Sequence, residues 1–125
     1  MLLLACRQEE PVKNMKDLEQ SMMDLKIYQE NLGDNIDAHQ LKDSEWLLHG
    51  IDSILTTVSA TITEHHKLKR PFSYYKDKYL DKPVDGLHTA FKNNDTAFAR
   101  KNYILLVDRC NDCHIDLEID KDVRY

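Results

Sequence analysis

The chain has few of the residues that break helices. Its 125 residues include three glycines, three prolines and one tryptophan, and no run alternates apolar and polar residues with β-branched enrichment. Sheet is therefore disfavoured and helix favoured. An excess of basic charge is also missing. Seventeen Lys and Arg stand against 22 Asp and Glu, giving a formal net charge of −5 and a pI near 5.6, so the electrostatic footprint of a nucleic-acid binder is absent. No segment reaches the length of a membrane span. There is no second cysteine pair: the three cysteines are Cys6, Cys110 and Cys113. A chain of this length makes a single domain with one core.

What is present is concentrated in five residues, Cys110-Asn111-Asp112-Cys113-His114. The pattern Cys-x-x-Cys-His is the attachment sequence for c-type haem, and its spacing has a mechanical reason. On a helix, positions i, i+3 and i+4 share a face. Cys110 and Cys113 can then each form a thioether to one vinyl group, while His114 offers an imidazole nitrogen to the iron from the same side. Two other chemistries use such a pair. A zinc site needs a second pair of ligands, and no second cysteine pair exists. A thioredoxin-like dithiol opens a helix after a strand, whereas this motif ends a long helical pattern. The expectation is one covalently attached haem c, held by Cys110 and Cys113 and ligated by His114.

The third cysteine, Cys6, follows Leu2-Leu3-Leu4-Ala5. This resembles the lipobox of bacterial lipoproteins, in which an apolar run and a small residue precede a lipidated cysteine. Residues Arg7 to Asp17 then read as a polar tether. Only five residues precede Cys6, with no basic n-region and a short h-region; the alternative is an apolar terminus with a free thiol. Since c-type haem is attached outside the cytoplasmic membrane, the two signals agree on a periplasmic, membrane-anchored protein. The division expected is a signal remnant and tether over 1–13, a helical bundle over 14–120 and a tail over 121–125.

Four helical stretches follow from apolar periodicity. The first runs from Asn14, a candidate N-cap, to Asp37. Met15, Leu18, Met22, Leu25, Leu32 and Ile36 form one stripe, and Gly33 interrupts it near its end. The second starts at Asp43 or Ser44, carries Leu47, Ile51, Ile54, Leu55, Val58 and Ile62, and fades near His65-His66. Pro83 suits the first turn of a third helix bearing Val84, Leu87 and Phe91, with a possible earlier start near Ser73 and a kink at Pro83. Asn93-Asn94 makes a turn and Asp95 caps the fourth helix, whose Phe98, Tyr103, Leu106 and Val107 lie on the face of the haem motif. With short connections the simplest packing is an all-α, antiparallel up-down-up-down four-helix bundle. The first and last helices are then neighbours, and Met22 can meet the motif across the core.

A haem motif near the end of the fourth helix of an all-helical chain of this size resembles the cytochrome c′ / cytochrome c556 family, the class II c-type cytochromes. The likeness rests on Cys110 to His114, the helix from Asp95 to Arg109 and the Met-rich helix from Met15 to Leu25. It implies that His114 is the proximal ligand and that the other axial side faces the first helix. In c556-like members a methionine closes that side and makes a low-spin electron carrier. In c′ members the side is apolar and open to small gases such as nitric oxide. Many members carry an aromatic and then a basic residue at the third and fourth positions after the histidine; here these are Leu117 and Glu118. A carboxylate beside the haem favours the ferric state and lowers the potential.

For the sixth position Met22 is centred in the apolar stripe, with Met15 and Met23 as reserves; all three can equally be core filler. His88 adjoins Leu87, which leaves bis-histidine ligation open. His65 and His66 read as a solvated helix end, and Tyr74, Tyr75 and Tyr79 as loop packing or a shield for a haem edge. The function expected is one-electron transfer without catalysis, since no acid–base pair accompanies the motif. Gas binding in the c′ manner is the alternative, and a haem-free interaction protein with a redox dithiol is the third. The acidic surface suits a redox partner with a basic docking patch, and a homodimer is possible.

Overall fold

The computed structural model describes residues 15–119, with side chains from Leu18 onward. Cys6, the 1–13 segment and the 121–125 tail lie outside the described residues, as does the Asn14 cap. The described chain is helical, in the order α1 (Met15–Asp37), a 3-10 turn (Lys42–Ser44), α2 (Glu45–Thr61), α3 (Phe72–Tyr75), a π-helical turn (Lys76–Leu80), α4 (Asp81–Lys92) and α5 (Thr96–Asp116). α3, the π turn and α4 follow one another without a break, so the chain forms four helical rods.

The core is the apolar stripe of each rod. Leu32, Ile36, Leu47, Ile51, Leu55, Leu87, Tyr103 and Val107 are among its fully buried side chains. Contacts between rods fix their arrangement. Tyr28 of α1 lies against Gly50 of α2 and meets Trp46 edge-on, with ring centroids 5.9 Å apart. Asp52 of α2 pairs with His88 of α4. Asn102 of α5 packs over Gly86 of α4. Asp37 of α1 pairs with Arg100 of α5, and Gln29 hydrogen-bonds Tyr103. Along these last pairs α1 numbers fall as α5 numbers rise, which carries the start of α1 toward the end of α5.

Gly33 does not interrupt α1. It is buried there, and a Cβ at this position would overlap the Tyr103 phenol. Its role is to let α5 approach. The Tyr103 hydroxyl donates to the Gln29 carbonyl at 3.0 Å, so the polar Gln29 stands in the core stripe with its partners supplied.

Several boundaries differ from those the sequence suggests. α2 stops at Thr61 because Ile62 turns into the core as the terminal residue, its N–H donating to the Val58 carbonyl. Ser44 stands at the N-cap position of α2 but makes no side-chain cap: its hydroxyl donates back to the Gln40 carbonyl. The third rod begins at Phe72 and stays helical through Pro83. Proline has no N–H to give the carbonyl four residues earlier and its ring crowds that carbonyl; the π turn just ahead absorbs the mismatch by inserting one residue into the helix. Pro83 itself is buried. On α5 the Asp95 carboxylate accepts the Phe98 N–H at 3.0 Å, as a cap should. Phe98, however, is not on the inner face. It is 36% exposed, and the buried stripe runs instead through Ala99, Asn102, Tyr103, Leu106 and Val107.

Candidate functional site

The motif occupies the last two turns of α5. From Ala99 the inner face steps through Tyr103 and Leu106 to Cys110 and then Cys113, at helical spacings of three and four. Cys110 packs against the core cluster, as do Met22 and Leu25 of α1 and Leu68 of the α2–α3 connection. Cys110, Cys113 and His114 are half-buried, and both cysteines are free thiols. Register brings the start of α1 to the same level. Gln29 meets Tyr103, so Met22, seven residues before Gln29, and Cys110, seven after Tyr103, are each about two turns further along.

Burial decides the chemistry of the two sulfurs. Loss of solvent pushes the Cys110 thiol up to about 12 and that of Cys113 up to about 11, with Asp116 adding to the second and Lys78 opposing it. A reactive redox dithiol works through the opposite shift. Neutral sulfur suits a thioether, which carries no charge to desolvate. In haem-free protein near pH 8, alkylation of both thiols is expected to run at least about a hundredfold slower than that of an exposed cysteine. It should accelerate about tenfold per pH unit as the thiolate fraction grows. Mass-spectrometric timing of iodoacetamide labelling checks this; labelling as fast as free cysteine would contradict it.

The α2–α3 connection folds over the same end of the bundle. Lys67 pairs with Glu19 near the start of α1 at 3.2 Å. The Lys69 ammonium donates to the Asp116 carbonyl at 3.3 Å and lies 3.7 Å from Glu118. The connection encloses an open cavity of about 970 Å³, lined by Thr63 to His66 and Leu68 to Pro71. Within it the His65 and His66 rings stack, centroids 4.6 Å apart. The Lys67 N–H donates to His65 Nδ1 at 3.1 Å, while His65 Nε2 is buried without a hydrogen-bond partner. An unpaired buried donor of this kind costs about 1–3 kcal/mol. Burial and the neighbouring His66 hold His65 below the usual histidine range.

On the other flank Asp116, two residues after His114, accepts the Tyr79 hydroxyl at 2.7 Å and lies 3.8 Å from Lys78. Lys78 stands over the rings of Tyr74 and Tyr79, and the Arg70 guanidinium lies 4.7 Å from the Tyr74 centroid. Tyr75 is buried, its hydroxyl accepting the Lys69 N–H at 3.1 Å. The tyrosines thus fasten the connection to the end of α5. Asp116, not Glu118, is the carboxylate held at the motif: Glu118 follows the helix with a positive φ, and its side chain is 83% exposed.

The other candidates are placed as follows. Met23 is 60% exposed on the outer face of α1. Met15 begins α1, and its side chain lies outside the described residues. His88 pairs with Asp52, its ring 6.1 Å from that of His49, more than a turn of bundle away from the motif along the α4–α5 hairpin. His65 and His66 are not a solvated helix end: α2 has already stopped at Thr61. Among the described residues no three or more His, Cys, Asp or Glu converge as a metal cage. The donor set at the end of α5 has the chemistry of haem attachment, with two thiols on the inner face of one helix and an imidazole on the next residue; the cavity of the connection is lined by none of these residues. Sequence reasoning missed Asp116, its pairing with Tyr79 and the role of His65, since their partners come from distant segments. Compared with known proteins, the chain matches no family model, no curated protein and no solved structure.

Proposed function

We propose that this chain is a c-type haem protein that carries single electrons outside the cytoplasm, built as an antiparallel up-down-up-down bundle of the class II cytochrome kind. The observation that supports it is Cys110-x-x-Cys113-His114 on the inward face of the last helix, where burial raises both thiols. Cys110 and Cys113 would hold the haem through thioethers, and His114 and Met22 would supply its iron-ligating side chains, with Met15 in reserve. When bound, the haem supplies a one-electron couple, and a thioether opposite an imidazole raises its potential.

The chain's own residues tune the site. The four rods and the fastened connection limit rearrangement between oxidation states. Asp116, tied to Tyr79 and Lys78, holds negative charge beside the proximal ligand. Glu118 is exposed and paired with Lys69, so solvent screens it. The Asp116→Asn variant is therefore expected to raise the midpoint potential more than Glu118→Gln does, and redox titration of both compares them. Lipidation at Cys6 would keep the protein at a membrane surface. No helix among the described residues is long and apolar enough to cross one. The net charge of −5 favours a redox partner with a basic patch.

Absorption spectra of the ferric and ferrous holoprotein, repeated with Met22→Ala, test the reading. Low-spin spectra with a weak sulfur-to-iron band in the far red, converted to high-spin by the substitution, are the expected result. A high-spin wild type would transfer the protein to the gas-binding c′ type. A chain that carries no covalent haem after expression with a haem-attachment system would remove the proposal altogether.

A further inference from the structure

We propose that the cavity of the α2–α3 connection is an oxyanion site, in which the His65 Nε2–H donates to a carboxylate or phosphate oxygen and Lys69 and Arg70 supply the positive charge. The tautomer carries the argument. Because the Lys67 N–H donates to His65 Nδ1 at 3.1 Å, Nδ1 is an acceptor, and a neutral ring must hold its proton on Nε2. That nitrogen is then a donor, it is buried and it has no partner in the protein. What it lacks is an acceptor. Iron ligation by Nε2 would need the other tautomer and would set the Nδ1–H against the Lys67 N–H, so His65 is not an axial ligand.

The surroundings select a negative acceptor. Lys69 and Arg70 line the cavity beside His65 and His66, against one carboxylate, Glu64. Lys69 reaches the cavity from the surface, where it donates to the Asp116 carbonyl at 3.3 Å and lies 3.7 Å from an 83% exposed Glu118. Arg70 rests on the Tyr74 ring, which presents its planar fork without occupying its donors. Stacking fixes the His65 ring against His66, so the donor direction is set in advance.

Two sources can supply the oxygen: a carboxylate of the haem attached at the adjoining end of α5, or a free anion such as phosphate. The site itself does not depend on the haem reading, because its donors belong to the connection. The test is imidazole-nitrogen NMR of the full chain, haem-free and haem-loaded, during titration with inorganic phosphate. With a free anion as occupant, phosphate saturably shifts His65 Nε2 in both forms. Lys69→Met with Arg70→Met then weakens that response about tenfold or more, while Lys101→Met, an exposed cation of α5 outside the cavity, preserves it. With a haem carboxylate as occupant, phosphate acts on the haem-free chain alone. In the haem-loaded chain the Nε2 proton is already protected from exchange, and Lys69→Met exposes it. The substituted residues are exposed, and circular dichroism confirms that the variants keep their helices. No His65 response to phosphate in the haem-free chain, or a resting tautomer with the proton on Nδ1, would overturn the proposal. Failure of the haem reading shows separately, as absence of haem stain.

Discussion

Replacing Cys110 and Cys113 together by alanine is expected to abolish covalent haem entirely while leaving the helices in place. Alanine has the best helix propensity of any residue, and both positions lie inside α5, which ends at Asp116. Truncation from thiol to methyl removes little buried surface at half-exposed positions. Helical content by circular dichroism should therefore stay within error, while the haem-stained band on a denaturing gel disappears. Each single variant keeps one thioether and should retain a weakened band. His114→Ala should keep covalent haem, since both sulfurs remain, but lose the low-spin spectrum. This pattern separates attachment from ligation. A double variant that still stains after denaturation would show that the cysteines do not hold the group.

The second large effect is structural and centres on Tyr103. Its side chain is 2% exposed and joins α5 to α1 through Gln29, donating to the Gln29 carbonyl and accepting from the Gln29 amide. Tyr103→Ala should cost about 3–5 kcal/mol, the range for deleting a buried aromatic ring. That is a large share of the 5–15 kcal/mol typical of a whole domain. Tyr103→Phe should cost about 1–3 kcal/mol, because it removes the hydroxyl that makes two buried hydrogen bonds with Gln29. Gly33→Ala tests the same contact from the other side. In an exposed helix this change gains roughly 0.5–1 kcal/mol. Here the new Cβ would overlap the phenol, and overpacking of about 1–3 kcal/mol should reverse the sign. Urea denaturation of the three variants reads all of these. A stabilised Gly33→Ala would mean that α1 and α5 are further apart than described.

Much of this architecture is legible in the sequence, and the parts that are not have identifiable causes. The stripe from Leu47 to Ile62 announces α2 because apolar residues recur at three and four. The same logic fails for Gln29, a polar residue that joins the core only because Tyr103, seventy-four positions away, completes its hydrogen bonds. It fails again at α5. Phe98 is large and apolar, so it invites burial, but the small Ala99 beside it is what lets the rods close. At the site, the Cys110 to His114 spacing is self-contained and can be read directly. The connection over it cannot be. Its residues are polar and aperiodic, and what fixes them is pairing across the molecule, Lys67 to Glu19 and Lys69 to Asp116. Local sequence holds no record of such pairs until the fold brings them together.

The π turn at Lys76–Leu80 has a consequence for what reaches the end of α5. In an unbroken α-helix a buried Tyr75 would be followed by an inward residue at position 79. The inserted residue delays the pattern by one, so that the buried positions are Tyr75 and Leu80, five apart. Tyr79, held half-buried at the edge of the core by that phase slip, points its hydroxyl to the flank, where it meets Asp116. Proline's missing donor at position 83 is thus felt a full turn upstream, as the direction in which one phenol points. Removing a single residue from Lys76–Lys78 would restore the helical beat and draw Tyr79 inward. The proximal carboxylate would lose its partner without any change to the residues around His114.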